Sequence, residues 1–322
     1  MTPKNQLTRG LWLGLLGIVI FSVTLPMTRL AVGTPDAPQM SGIFIALGRA
    51  VVAAGLSALF LLATHARLPG RDEWWPLAVT AGGVVFGFPL LTSVAMRHVE
   101  AVHASVIVGV LPLATAAVGA LLHRQRPSAG FWLCAALGSA LVVAFAMLRS
   151  GSGAGGLSIS LADLLLLAAC LCAAVGYGYG ARLSQRMRAE HVICWALVLA
   201  LPLTLPLGLA SWPAGTVKAS AWWAFAYVAV FSMWLGFFAW YRGLALGGTV
   251  RVSQVQLVQP FLSMLFAVPL LGERLDAVTV CFSLAVIATV FVGKKMPVHQ
   301  PVSHPAGLPV DGHAARMNMR KS

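Results

Sequence analysis

Acidic side chains are nearly missing. Only 9 Asp and Glu stand among 322 residues, and all charged types together make up 10% of the chain, far below the roughly one-quarter usual for soluble domains. With 59% hydrophobic residues and a mean hydropathy of +0.85, a soluble globular fold is excluded and a polytopic membrane protein is left. The 22 Lys and Arg give a net charge of +13, which on a soluble protein would suggest nucleic acid. In a membrane protein these residues set orientation and touch anionic lipid, so no nucleic-acid partner is inferred. Cysteine is scarce too. Cys134, Cys170, Cys172, Cys194 and Cys281 all lie in apolar stretches without ligand-type spacing, so neither a disulfide framework nor a zinc site is supported and they read as small buried hydrophobes.

Motifs of energy-coupled and hydrolytic chemistry are missing as well. No GxxxxGK[ST] loop occurs, which excludes direct ATP hydrolysis, and no HExxH or GxSxG supplies an enzyme with a metal or a nucleophile. Neither a cofactor nor a metal is expected. The nine acids, Asp36, Asp72, Glu73, Glu100, Asp163, Glu190, Glu273, Asp276 and Asp311, each fall in a loop, at a helix end or in the tail. A proton-driven antiporter of lipophilic cations needs a carboxylate at mid-membrane, and none is seen.

What is present is a series of ten apolar runs, at approximately 11–32, 42–64, 75–95, 101–122, 129–148, 159–181, 192–212, 221–245, 250–271 and 276–293. Segments such as LADLLLLAACLCAAVG are apolar all round, unlike the alternating strands of an outer-membrane barrel, so the runs are expected to be helices. Lys4 and Arg9 before the first run could begin a cleaved signal, but the long run with no small-x-small site reads better as an uncleaved first helix. Lys and Arg number 16 on the N-terminal side and 5 on the other, with Arg49 inside the second run, which puts both termini in the cytoplasm. The expected location is the cell inner membrane. RSGSGAGGLS at 149–158 reads as a flexible linker between helices five and six, and the stretch 295–322 as a disordered cytoplasmic tail. That divides the chain into a short N-terminus (1–10), a first unit (11–148), the linker and a second unit (159–294). His299, His304 and His313 in the tail could chelate metal, but a plain solvated tail is the preferred reading.

The two units repeat one another. A shift of 148 positions lays run four on run nine without a gap and gives six identities between 104–129 and 252–277, among them Ser105 on Ser253, Pro112 on Pro260 and Arg126 on Arg274. A shift of 153 brings PMTRLA (26–31) onto YGARLS (179–184). Five spans per unit is odd, so the second copy enters the membrane in the opposite sense, and the expected architecture is all-α, ten transmembrane helices as two inverted five-helix repeats. Alternating-access carriers use such repeats.

The stretch GLALGGTVRVSQVQLVQPFLSMLFAVPLLGERLDAVTV (243–280) and its weaker copy AMRHVEAVHASVIVGVLPLATAAVGALLHRQRPSAGF (95–131) resemble the ten-helix EamA-type branch of the drug/metabolite transporter superfamily, as do Arg49 in IALGRAVVAAGL and Asp163 in LADLLLLAA. The resemblance spans about residues 10–294. It implies export of amino acids or related metabolites, and in some members of drugs. The expected partners are a small-molecule substrate and the lipid bilayer, with a homodimer left open. Gln125 stands where Glu273 would have its counterpart, which argues against a symmetric role for that position.

Arg49 is the sharpest candidate. Seven residues beyond the edge of run two it lies roughly 10 Å inside a core about 30 Å thick, where it must face protein or water. It either binds an anion in a central cavity, ties helix-end carbonyls together or snorkels outward. In run nine, Ser253, Gln256 and Ser263 form a polar stripe with Gln259 beside it, around Pro260, whose missing N–H frees the Gln256 carbonyl; the stripe either lines a cavity or glues helices. Trp234, Phe238 and Tyr241 at i, i+4 and i+7 in run eight, with Tyr177 in run six, could stack on a substrate ring or simply pack. His98, Glu100 and His103 cluster at the outer mouth and could couple transport to protons, or form a solvated loop.

Overall fold

The computed structural model describes residues 3–122, 126–150, 160–247, 252–296 and 298–299. Among them seven helices are long and apolar enough to cross a bilayer: α1 (Asn5–Val32), α2 (Gly42–Ala63), α3 (Trp74–Ala95), α4 (Ala101–Leu122), α6 (Leu161–Leu183), α7 (Ala189–Ala210) and α8 (Ala219–Gly247). Three further helices have shorter apolar cores. These are α5 (Ala129–Ser150), α9 (Val255–Leu271) and α10 (Ala277–Lys295). All ten expected spans are therefore helices, and the chain is an all-α polytopic membrane protein. Most of the linker, and the tail from residue 300, lie outside the described residues. Ahead of that point Val298–His299 forms a two-residue antiparallel pair with Arg126–Pro127, so the chain after α10 begins with an ordered contact.

Helix pairing displays the inverted repeat. α1 lies along α8, and its counterpart α6 lies along α3; α2 packs on α7, α4 on α9 and α5 on α10, so each helix meets its own copy or the copy of its partner. Glycine makes the closest crossings. A Cβ on Gly243 would sit 2.7 Å from the backbone of Gly14, and one on Gly83 would sit 2.8 Å from Gly176.

Departures from regular helix occur at matching places in the two halves. α3 carries a π-helical segment at Gly82–Gly87 and α8 one at Val228–Leu235. α4 is interrupted between Val108 and Leu111, and α9 begins with a 3-10 turn, Ser253–Val258, each just before the proline shared by the repeat. α1 breaks at Val23. There Pro26 has no N–H for the Ser22 carbonyl, which instead accepts a 2.8 Å hydrogen bond from Ser263 Oγ of α9. Irregular backbone at membrane depth is tolerated only where it is enclosed by protein or lines a cavity.

Candidate functional site

Arg49 is 1% exposed on α2, and its Nε is buried with no hydrogen-bond partner. No carbonyl or carboxylate among the described residues ties the guanidinium down. Placing an arginine at membrane depth costs about 2.5–3.5 kcal/mol on insertion scales, and a structural arginine recovers this through bonds to the protein. Arg49 makes none of them.

It lines a cavity of about 30 Å³ between the two halves. From α1 come Phe21, Thr24 and Leu25; from α3, Val84, Phe88 and Pro89 at the end of the π segment. The second half adds Ala173 and Tyr177 from α6, Ser232, Met233 and Phe237 from α8, and Gln259 from α9. Thr24 and Ser232 share a 2.8 Å hydrogen bond across the cavity wall. The lining therefore holds one cation, two hydroxyls, an amide, a phenol and apolar or aromatic walls, and it contains no carboxylate.

The expected site residues divide around this cavity. Arg49, Tyr177 and Gln259 converge on it. Ser263 points to α1 as described, and the Ser253 side chain lies outside the described residues. Gln256, 1% exposed, is buried with both amide atoms unpartnered, three residues before Gln259 on α9. Trp234 and Phe238 turn away and pack on Phe60 of α2, with ring centroids 6.2 and 4.9 Å apart. Tyr241 is fully buried behind the lining, its ring 5.4 Å from Phe237. The π segment rotates α8 so that Ser232 and Phe237, five residues apart, take the inward face. Thr24, Ser232 and Phe237 were not picked out by a 3.6-residue period. The signal available in the sequence was a lone hydroxyl inside an apolar run, as in VAVFSMWLGFF.

At the mouth on the α4 N-terminal side, His98 and Glu100 are exposed, whereas His103 is buried and its Nε2 lies 2.7 Å from Asp163 Oδ1 of α6. The three do not form one cluster. Asp163 also caps α6 through Ser160 in a reciprocal capping box. Glu273 crosses between halves too, accepting 2.8 and 2.7 Å bonds from the N–H groups of Ala101 and Val102 at the start of α4. Burial pushes its carboxyl above the usual carboxylate range, against the pull of those two N–H groups. This end opens into a cavity of about 680 Å³ that includes Arg29, Lys218, Glu273 and Arg274. Arg29 and Arg97 donate to helix-end carbonyls, among them Met96 O at 2.6 Å and Val32 O at 3.2 Å respectively.

At the opposite end polar contacts tie the halves together. Arg186 pairs with Asp72 at 2.7 Å, His191 Nε2 lies 3.2 Å from Thr64 Oγ1, and Arg67 binds Glu73 through both its Nη atoms while reaching the Arg186 carbonyl at 3.3 Å. The Arg67 guanidinium holds the Glu73 carboxyl below the usual range. Glu190 pairs with Arg242 of α8.

Inverted five-helix halves, helices broken within the spans and a polar cavity on the interface between the halves define a membrane carrier. The sequence matches the EamA-like transporter family over residues 8–147 and again over 160–292, and the chain belongs to that family. It is 42% identical over 295 residues to YdeK, an uncharacterized transporter of Bacillus subtilis (strain 168), a match covering 90% of this chain and 99% of the relative. A solved protein crystal structure shares the fold with a TM-score of 0.60 at 18% identity, over 88% of this chain and 96% of that one.

Proposed function

We propose that this transporter is a secondary carrier of the cell inner membrane that exports a small carboxylate-bearing or neutral polar metabolite by alternating access. The observation that carries the reading is the buried, unpaired guanidinium of Arg49 in a cavity between the halves. A guanidinium that no group among the described residues neutralises is a bidentate receptor for a carboxylate. The charge bias puts both termini in the cytoplasm and residues 149–158 outside. In that orientation the 680 Å³ cavity faces outward and the Asp72–Arg186 end is the closed cytoplasmic side. His103, facing Asp163, is the titratable group placed to couple transport to protons.

Export of lipophilic cations is the rival reading, and the lack of a carboxylate in the cavity lining speaks against it. Counterflow in reconstituted vesicles decides between them. Exchange is expected for carboxylates and neutral polar metabolites; exchange confined to quaternary ammonium compounds would overturn the proposal.

A further inference from the structure

We infer that, within the class just proposed and resting on that reading, the cavity selects monocarboxylates that carry an apolar or aromatic tail and lack an ammonium group. Charge balance in a buried space sets this preference. Arg49 supplies one positive charge, and neither a second cation nor any carboxylate lines the cavity. A monoanion brings the sum to zero. A zwitterionic amino acid leaves the cavity with the same net +1 that it had before binding, and a dianion leaves it at −1. In a low-dielectric enclosure an uncompensated charge is costly, so the neutral sum is favoured.

The local chemistry points the same way. An ammonium group would have to sit close to Arg49, a like charge, and the side chains of the lining offer it neutral acceptors and no carboxylate. Those acceptors are the Thr24 and Ser232 hydroxyls, the Gln259 carbonyl and the Tyr177 oxygen, none of which offsets the charge. A hydrocarbon tail has many partners instead. Phe21, Phe88, Met233 and Phe237 offer apolar and aromatic surface. At about 30 Å³ the cavity accommodates a small polar head and not the tail, so binding has to part these side chains; those of Met233 and Phe88 carry no hydrogen bonds that would resist it.

The test is thermal stabilisation of the purified full-length chain, which needs no variant for its main comparison. Four probes share one ring: 3-phenylpropanoate, phenylalanine, phenylsuccinate and phenethylammonium. The monoanion is expected to bind at least about tenfold more tightly than each of the other three. Arg49→Met should abolish its stabilisation and leave it no better than 3-phenylpropanamide. If phenylalanine matches 3-phenylpropanoate and both effects vanish in Arg49→Met, the charge-balance inference is overturned while the anion-anchor reading stands. No stabilisation by any carboxylate, or equal stabilisation of the variant, overturns the anchor reading itself.

Discussion

At the scale of single residues, Arg49 is distinguished by what it does not touch. A guanidinium that held helices together would be costly to remove, of the order of 3–5 kcal/mol once its partners are stranded. Among the described residues Arg49 has no partners to strand. Arg49→Met is therefore expected to be no less stable than the parent chain and up to about 3 kcal/mol more stable, read as the thermal melt in detergent, while losing substrate binding. Arg49→Lys, which keeps the charge but not the planar fork, should retain part of the binding. Glu273 is the opposite case, a charge whose bonds are all to the protein. Its raised carboxyl pKa means that, just above the ordinary carboxylate range, the folded chain holds a proton that the unfolded chain has released, so stability falls as pH rises through that window. Glu273→Gln should flatten this slope and weaken the α4 N-terminus by about 0.5–1 kcal/mol, measurable by melts at a series of pH values.

At the scale of the helices, the π segments decide which side chains reach the cavity. Arg49 was legible in the sequence because a charge in an apolar run must be enclosed whatever the register. Gln259 was legible because an uncharged amide on an apolar helix must likewise turn from lipid. The aromatic face of α8 was not, because one extra residue per turn at Val228–Leu235 shifts the inward face from Trp234 and Phe238 to Ser232 and Phe237, and no single residue announces a π turn. The structure predicts that cysteines at Ser232 and Phe237 are protected from hydrophilic thiol reagents by bound substrate, and that cysteines at Trp234 and Phe238 are indifferent to it. Protection on the Trp234 side alone would mean that the α8 register is wrong. The glycine crossings are equally testable. Gly243→Ala brings a methyl group within 2.7 Å of Gly14 and should cost about 1–3 kcal/mol as α1 and α8 are forced apart.

At the scale of the molecule, the duplication could be read from the chain, since five spans per copy and a gapless match of run four to run nine leave only an inverted arrangement. The contacts that join the halves could not. His103 and Asp163 are 60 positions apart, and nothing in either segment says that α4 and α6 bring them to 2.7 Å. The same holds for Asp72 and Arg186. As an exposed pair these two contribute little stability, yet in the proposed orientation they span the cytoplasmic end, which must open to admit substrate for export. Oxidised cysteines at 72 and 186 are expected to stop transport, and reduction to restore it. The central claim, that Arg49 anchors a carboxylate in an alternating-access carrier, is tested most directly by counterflow of labelled 3-phenylpropanoate into vesicles preloaded with the same compound. The account predicts accumulation with the parent chain and none with an equally well folded Arg49→Met protein; equal counterflow by both proteins would contradict it.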